Sequence, residues 1–261
     1  MRIGGGAPLA LIAGPCVIET RAHTLYLAEE IQKICRTRNL PFVFKASFDK
    51  ANRSSGSSFR GPGLEAGLSI LAEVRHKLDV PVLSDIHLPE QAAAAGQVLD
   101  GVQIPAFLCR QTDLLLAAAA TGRCVNVKKG QFMSPEEMSN VVAKLREGGC
   151  GNILLTERGT FFGYHRLVND MTAIPRMREM APVVFDATHS CQLPGGTGVQ
   201  SGGQRQYVGT LAGAAVAAGA DALFLEVHDQ PDAAQSDPAT VFPLDELAAL
   251  LDRLQRIAAA R

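Results

Sequence analysis

Eight short apolar runs, each followed by a stretch with helical periodicity, constrain this chain more than any other feature. The runs fall at Leu9–Ala13, Phe42–Lys45, Val80–Ser84, Gly101–Ile104, Cys124–Lys128, Asn152–Thr156, Pro182–Asp186 and Ala222–Glu226. They are nearly continuous in Val, Ile, Leu and Phe instead of alternating with polar residues, as expected of parallel strands covered on both faces. Helical patterns between them are expected from Thr20 or Arg21 to Cys35, then at Leu64–Leu78, Leu88–Leu99, Gln111–Ala120, Leu167–Met180 and Gln204–Ala218. Ser134-Pro135-Glu136-Glu137 reads as a capping box opening a helix through Met138, Val141, Val142 and Leu145. Leu244, Leu247, Leu250, Leu251, Leu254 and Ile257 form one apolar stripe at helical spacing. Strand and helix repeated eight times in 261 residues predict an α/β protein built as a single (β/α)8, or TIM, barrel over residues 1–261. A doubly wound open sheet is the alternative, but no Gly-x-Gly-x-x-Gly turn follows the first strand.

Composition excludes several function classes. The chain is 47% hydrophobic and 20% charged with a net charge of −1, too apolar and too balanced for disorder. That balance gives no electrostatic drive toward nucleic acid, and the absence of Trp with only 5% aromatics argues against base-stacking platforms. No apolar run reaches the roughly 20 residues that a membrane-spanning helix needs. Met1–Ile18 is broken by Gly4, Gly5, Gly6, Pro8, Gly14 and Pro15 and lacks a signal-peptide cleavage pattern. Six scattered cysteines, Cys16, Cys35, Cys109, Cys124, Cys150 and Cys191, suggest reduced thiols and a cytoplasmic location more than a disulfide framework.

A barrel of this kind carries its active site at the C-terminal ends of its strands. There the sequence places Cys16, then Lys45 and Lys50, Asp85 and His87, Gln103, Lys128 and Lys129, Glu157 and Arg158, Asp186 and His189, and Glu226 and His228. The opposite strand ends carry mostly Gly, Pro, Ala and Asp turn residues, and this asymmetry points to an enzyme. Lys45, Lys50, Arg53, Lys128 and Arg158 would converge on one mouth, where like charges repel unless anions join them. The economical reading is a site for phosphate and carboxylate groups; the competing one is that each is a solvated rim residue. Cys16, His189, Glu226 and Asp237 come from strands one, seven and eight and the last long loop, which meet when a barrel closes. A thiolate, an imidazole and two carboxylates suit a divalent transition metal better than Mg²⁺ or Ca²⁺. A packed cysteine, a hydrogen-bonding histidine and a turn aspartate are the bland alternatives. Cys191 and His228 are expected to point away from the mouth. Three loops exceed the usual length: Ala46–Gly63, the glycine-rich Gln192–Gly203, and His228–Thr240.

The motifs resemble the 3-deoxy-D-manno-octulosonate 8-phosphate synthase family along essentially the whole chain. The resemblance rests on the segments Ala13-Gly14-Pro15-Cys16-Val17-Ile18-Glu19, Phe44-Lys45-Ala46-Ser47-Phe48-Asp49-Lys50-Ala51-Asn52-Arg53-Ser54-Ser55 and Gln103 through Asp113. Val125 through Phe132, Thr156-Glu157-Arg158-Gly159 and Phe185-Asp186-Ala187-Thr188-His189-Ser190 add to it. The Lys-Ala-Asn-Arg-Ser-Ser loop is the specific element, since the sister 3-deoxy-D-arabino-heptulosonate 7-phosphate synthases usually show a Lys-Pro-Arg-Thr or Lys-Pro-Arg-Ser loop there. The resemblance implies a barrel that condenses phosphoenolpyruvate with D-arabinose 5-phosphate, releasing inorganic phosphate on the route to lipopolysaccharide. It implies that Lys45, Lys50, Gln103, Lys128 and Arg158 surround phosphoenolpyruvate and that Asn52, Arg53 and Ser54 hold the pentose phosphate. Lys50 is expected to polarise or protonate the aldehyde. Cys16 with His189, Glu226 and Asp237, and the Gln192–Gly196 stretch, match the family's metal-dependent branch, whose metal-independent counterpart carries Asn at the position of Cys16. The implied cofactor is therefore a divalent metal such as Zn, Fe, Mn or Co, with Cys16, His189 and Asp237 taking part in catalysis. A homotetramer is implied as well. The short segment before Leu9 leaves little room for an extra hairpin at the barrel's bottom. The alternatives are the sister synthase acting on erythrose 4-phosphate, a metal-dependent barrel lyase or hydrolase, and a non-catalytic sugar-phosphate binder.

Overall fold

The computed structural model describes residues 1–52, 55–194 and 202–261. Eight parallel strands occur in it: β1 (Ala10–Gly14), β2 (Phe42–Lys45), β3 (Val82–Asp85), β4 (Gly101–Ile104), β5 (Cys124–Lys128), β6 (Ile153–Glu157), β7 (Val183–Asp186) and β8 (Ala222–His228). Each pairs with the next, and β8 returns to β1 in the register Ala10↔Ala222 to Gly14↔Glu226. The sheet is thus a closed (β/α)8 barrel. The helices are α1 (Arg21–Arg36), α2 (Leu64–Leu78), α3 (Gln91–Val98), α4 (Thr112–Ala120), α5 (Met138–Glu147), α6 (Ala173–Arg178), α7 (Val208–Ala217) and α8 (Leu244–Ala259). Two small additions lie at the top of the barrel. Gln192–Leu193 pairs antiparallel with Gly202–Gly203, and Phe242–Pro243 runs beside the end of β8.

The expected elements are present with shifted edges, and the shifts have local causes. Strands β3 and β7 start after Pro81 and Pro182, which lack an N–H to donate and only accept, from Phe44 N at 2.9 Å and Leu155 N at 3.0 Å. The capping box forms one of its bonds, Ser134 N to Glu137 Oε2 at 2.9 Å. Its first turn is tight, with Met138 N bonded to Pro135 O, and regular helix begins only at Met138. The helix expected over Leu167–Met180 is much shorter. Thr160 and Val168 instead exchange two backbone hydrogen bonds of 2.8 Å, and Asp170 accepts from Thr172 N at 2.9 Å, so α6 occupies only Ala173–Arg178.

Two apolar regions follow from strand alternation. Outward residues such as Leu11, Phe44, Val102, Val127, Leu155, Phe185 and Leu225 pack under the helices in one large core. Helix α8 buries Leu247, Leu250, Leu251 and Leu254 against it. Inward residues of the lower barrel form a separate cluster of Ala10, Ile12, Val43, Leu83, Leu154, Val184, Ala222 and Phe224, with Ile3 packed against it. Continuing each strand by two residues from that lower layer reaches the polar positions: Lys45 above Val43, Asp85 above Leu83, Asp186 above Val184, Glu226 above Phe224. The step from Ile12 to Cys16 passes Gly14. A Cβ there would lie 2.1 Å from the Lys45 carbonyl oxygen, so only glycine lets β1 and β2 approach this closely.

Candidate active site

The upper ends of the strands enclose a cavity of about 460 Å³. Lys45, Lys50, Asn52, Gln103, Lys128, Arg158, His189, Glu226 and Asp237 all line it, so the expected residues converge. Arg53 and Ser54 lie outside the described residues. Lys129 and Glu157 take the other side of their strands: their charged atoms are 3.6 Å apart, and Lys129 also reaches Thr160 and two carbonyls. Cys191 is buried and is not part of the wall, and neither is His228.

Below the cations is Phe224, whose ring centroid lies 4.1 Å from Lys128 Nζ and 5.5 Å from Lys45 Nζ. An aromatic face in contact with an ammonium is a favourable floor for a dry site. Between this floor and the mouth, Thr156 donates to Asn126 at 2.6 Å and Asn126 to Gln103 at 3.2 Å, a relay that fixes the amide of Gln103 across three strands.

The charges are arranged in buried pairs. Lys45 Nζ lies 3.5 Å from Asp85 and 3.7 Å from Glu226 and donates to Ser47 Oγ at 2.7 Å, which donates on to Asp85 at 2.5 Å. Burial would raise the Asp85 carboxyl, but Lys45 and a hydrogen bond from His87 outweigh it and hold it well below the usual carboxylate range. Burial and the neighbouring Lys50 lower the Lys45 ammonium against the pull of Asp85 and Glu226. Lys50 shows the opposite balance. Burial alone would depress it, but its neighbours Cys16, Glu226 and Asp85 together hold it well above the ordinary lysine value. Lys128 Nζ is 2.5 Å from Asp186, and His189 Nδ1 is 2.8 Å from the same carboxylate oxygen. Arg158 differs from the lysines. Among the described residues it forms no ion pair; it donates to Gln192 Oε1 at 2.9 Å, while its Nε and one terminal nitrogen have no hydrogen-bond partner. Burial draws its pKa below the ordinary arginine value, yet a guanidinium keeps its charge. An unsatisfied buried donor costs about 1–3 kcal/mol, which a bound anion would recover.

The donor set expected to hold a metal also meets. Ligand atoms of Cys16, Glu226 and Asp237 lie within 4.8 Å of one another, and His189 Nε2 is 3.5 Å from Glu226 Oε1. Burial and the nearby Glu226 push the Cys16 thiol well above its usual pKa, and it contacts Ser236 Oγ at 2.9 Å and Asp237 Oδ2 at 3.2 Å. Both oxygens of Glu226 are buried without a hydrogen bond among the described residues. Asp186 takes Nδ1 of His189 and leaves Nε2 facing Glu226, the arrangement by which a carboxylate orients a metal-binding imidazole. The residues present fit a borderline divalent cation. Such charge would also offset Glu226, which lies 3.6 Å from Lys50. Asp237 adopts φ of +50°, a left-handed conformation that Asp tolerates, just before Pro238.

Three contributors escape a reading of the strands alone. Ser236 and Gln192 come from loops, and Gln192 ties Arg158 to Asp237, donating to Asp237 Oδ1 at 3.0 Å. Phe224 was legible only as core. For Phe224 the available signal was its parity with Glu226, for Ser236 only adjacency to Asp237 in the chain, and for Gln192 the Gln192–Gly196 stretch that resembles the metal-dependent branch.

Comparison with known proteins gives a consistent result. The model of the DAHP synthetase I family matches residues 1–259. A protein of Geobacter sp. (strain M21) named 2-dehydro-3-deoxyphosphooctonate aldolase is 58% identical over 258 residues, covering 98% of this chain and 94% of that protein. The same name is carried by a Synechococcus sp. protein, 59% identical over 256 residues (98% and 90% covered). It is carried too by one of Cyanothece sp. (strain PCC 7425 / ATCC 29141), 57% identical over 261 residues (100% and 96%).

Proposed function

The chain belongs to the DAHP synthetase I family, and we propose from that premise how its barrel mouth performs the reaction of its 2-dehydro-3-deoxyphosphooctonate aldolase relatives. The reaction is the aldol-type condensation of phosphoenolpyruvate with D-arabinose 5-phosphate to 3-deoxy-D-manno-octulosonate 8-phosphate and inorganic phosphate. The erythrose 4-phosphate alternative is less supported, because the full-length relatives carry the octonate name.

The observation that carries this reading is the convergence of Lys45, Lys50, Lys128 and Arg158 on one cavity. Two substrates bearing phosphate, one also a carboxylate, repel each other in water. Fixed cations align them and remove that repulsion without reorganisation at the moment of reaction. Arg158, with unpartnered donors, receives phosphoenolpyruvate by its planar fork, with Lys45, Lys128 and Gln103 beside it. Asn52, Arg53 and Ser54 hold the pentose phosphate. Lys50, kept protonated by its acidic surroundings, donates to the aldehyde oxygen as C3 of phosphoenolpyruvate forms the new carbon–carbon bond. Water adds at C2, and phosphate leaves by cleavage of its C–O bond.

Cys16, His189, Glu226 and Asp237 would hold the divalent metal, for which the unbonded Glu226 oxygens and the oriented His189 speak. When bound, such an ion supplies Lewis acidity toward an oxygen ligand. Asp186 keeps the His189 tautomer, and Ser236 and Gln192 position Cys16 and Asp237. We assign the chain to the cytoplasm on its cysteine usage, and no helix among the described residues is long and apolar enough to cross a membrane. The resemblance extends this reading to a homotetramer.

The test is phosphate release from phosphoenolpyruvate with arabinose 5-phosphate and, in parallel, erythrose 4-phosphate, before and after a chelator. Turnover confined to the pentose phosphate, lost with chelator and restored by a divalent ion, is expected. Turnover of the tetrose phosphate alone would overturn the substrate assignment. Chelator-indifferent turnover by protein verified to be metal-free would overturn the metal.

A further inference from the structure

A second group of donors gathers where β1, α1 and β8 meet, outside the wall of the cavity. Glu19 follows β1, His23 lies in the first turn of α1, and His228 ends β8 with Asp229 after it. One ligand atom from each of Glu19, His23 and His228 lies within 4.8 Å of the others. His228 Nε2 is 3.4 Å from Glu19 Oε1, and the two imidazole rings stand 4.6 Å apart between centroids.

Ordinary hydrogen bonding leaves this group incomplete. Among the described residues, the buried His228 Nε2 and His23 Nδ1 have no hydrogen-bond partner, although the His228 side chain is only 6% exposed. The opposite nitrogens face Asp229. His23 Nε2 lies 2.8 Å from Asp229 Oδ1, which leaves Nδ1 with its lone pair free. His228 Nδ1 lies 3.2 Å from the same oxygen and also accepts from Gln230 N at 2.9 Å. A proton on Nδ1 directed to Asp229, in place of the Gln230 bond, gives Nε2 its lone pair. A carboxylate behind a histidine is the usual support of a metal-binding imidazole. Charge points the same way: among the described residues no lysine or arginine pairs with Glu19 or Asp229, whose ionic contacts are only to the two histidines.

The geometry points to a second divalent-metal site on this chain, with Glu19, His23 and His228 as ligands and Asp229 orienting both rings. Two imidazole nitrogens and one carboxylate select a borderline ion of the Zn²⁺ type over Mg²⁺ or Ca²⁺, which favour oxygen shells. The site adjoins the first one. Glu19 Oε1 accepts from Gln235 N at 2.8 Å, two residues before Asp237, so an ion here anchors the base of the loop that carries Asp237.

Cobalt tests the proposal, because a thiolate ligand adds an intense charge-transfer absorption that a nitrogen–oxygen site lacks. The metal-depleted full chain is equilibrated with Co²⁺ and its bound metal counted. Two ions per chain are expected for the wild type. Cys16→Ala should keep one ion and lose the thiolate band, His23→Gln should keep one ion with the band, and the double variant should bind none. Glu19→Gln should weaken the ion retained by Cys16→Ala about tenfold or more, and circular dichroism verifies folding of each variant. The proposal is overturned if folded Cys16→Ala binds no Co²⁺, or if its ion is indifferent to both His23→Gln and Glu19→Gln. A wild type that binds one ion without the thiolate band would defeat the Cys16 site and leave this one standing, so the two failures are distinct.

Discussion

The lower and upper layers of the barrel interior are built by the same strands two residues apart, yet they obey opposite rules. Below, Ile12, Val43, Leu83, Leu154, Val184 and Phe224 close on one another with no polar atom to satisfy. Above, Lys45, Asp85, Lys128, Arg158, Asp186 and Glu226 are as deeply buried but carry charge, and Arg158 and Glu226 retain polar atoms without hydrogen-bond partners among the described residues. Buried ion pairs contribute little net stability, because desolvation offsets their attraction. The lower layer therefore holds the fold, and the upper layer is kept for what it binds.

The sharpest way to break this contrast is to remove charge above without disturbing the layer below. Arg158→Gln should lower kcat/KM by roughly 10²–10³-fold, the scale of a lost preorganised donor, while the denaturation midpoint stays near that of the wild type; steady-state phosphate release and urea unfolding read the two quantities. Cys16→Ala should lose the ion held at the barrel mouth, one of the two expected, and activity with it, by metal analysis and turnover on the same samples. Cys16→Asn, which restores the residue of the metal-independent branch, should recover substantial activity in chelator; a folded but inactive Cys16→Asn protein would contradict this.

A smaller effect of the opposite kind is expected below. Leu154→Ala should cost about 2–4 kcal/mol of stability by the cavity it leaves and leave the KM for phosphoenolpyruvate unchanged. Gly14→Ala should blur the layers, since its Cβ meets the Lys45 backbone and must shift Lys45 and Cys16 together; both midpoint and kcat/KM should fall.

The mildest effect concerns acid. The folded-state pKa of Asp85 is depressed, so its stabilisation is present above the unfolded value of about 4. It is lost as pH falls from there through the lower folded value. The midpoint of Asp85→Asn should consequently fall less steeply than that of the wild type on acidification below about pH 4.

Much of this contrast is legible in the residues. Continuous apolar runs mark the strands, and the polar residue closing each run marks the mouth, because a strand buried on both faces has nowhere else to place a charge. Parity sorts Lys128 from Lys129 and Arg158 from Glu157, a distinction that a list of strand-end residues does not make. What stays hidden depends on loops folding back. Ser236 reaches Cys16 across 220 positions, and Gln192 joins Arg158 to Asp237, neither through any periodicity. His228 shares the parity of Glu226 and was expected to point away from the mouth. It does lie outside the cavity wall, and its neighbours Glu19 and His23 come from the other end of the chain. The span Leu167–Met180 carries a helical pattern, but the Thr160–Val168 backbone pairing holds its first part in another conformation.

The most direct test of the division between layers is calorimetric binding of phosphoenolpyruvate to the wild type, Arg158→Gln and Leu154→Ala. Arg158→Gln should lose most of the affinity with its unfolding midpoint retained, and Leu154→Ala should bind as the wild type does with its midpoint lowered. Equal affinity for wild type and Arg158→Gln would contradict it.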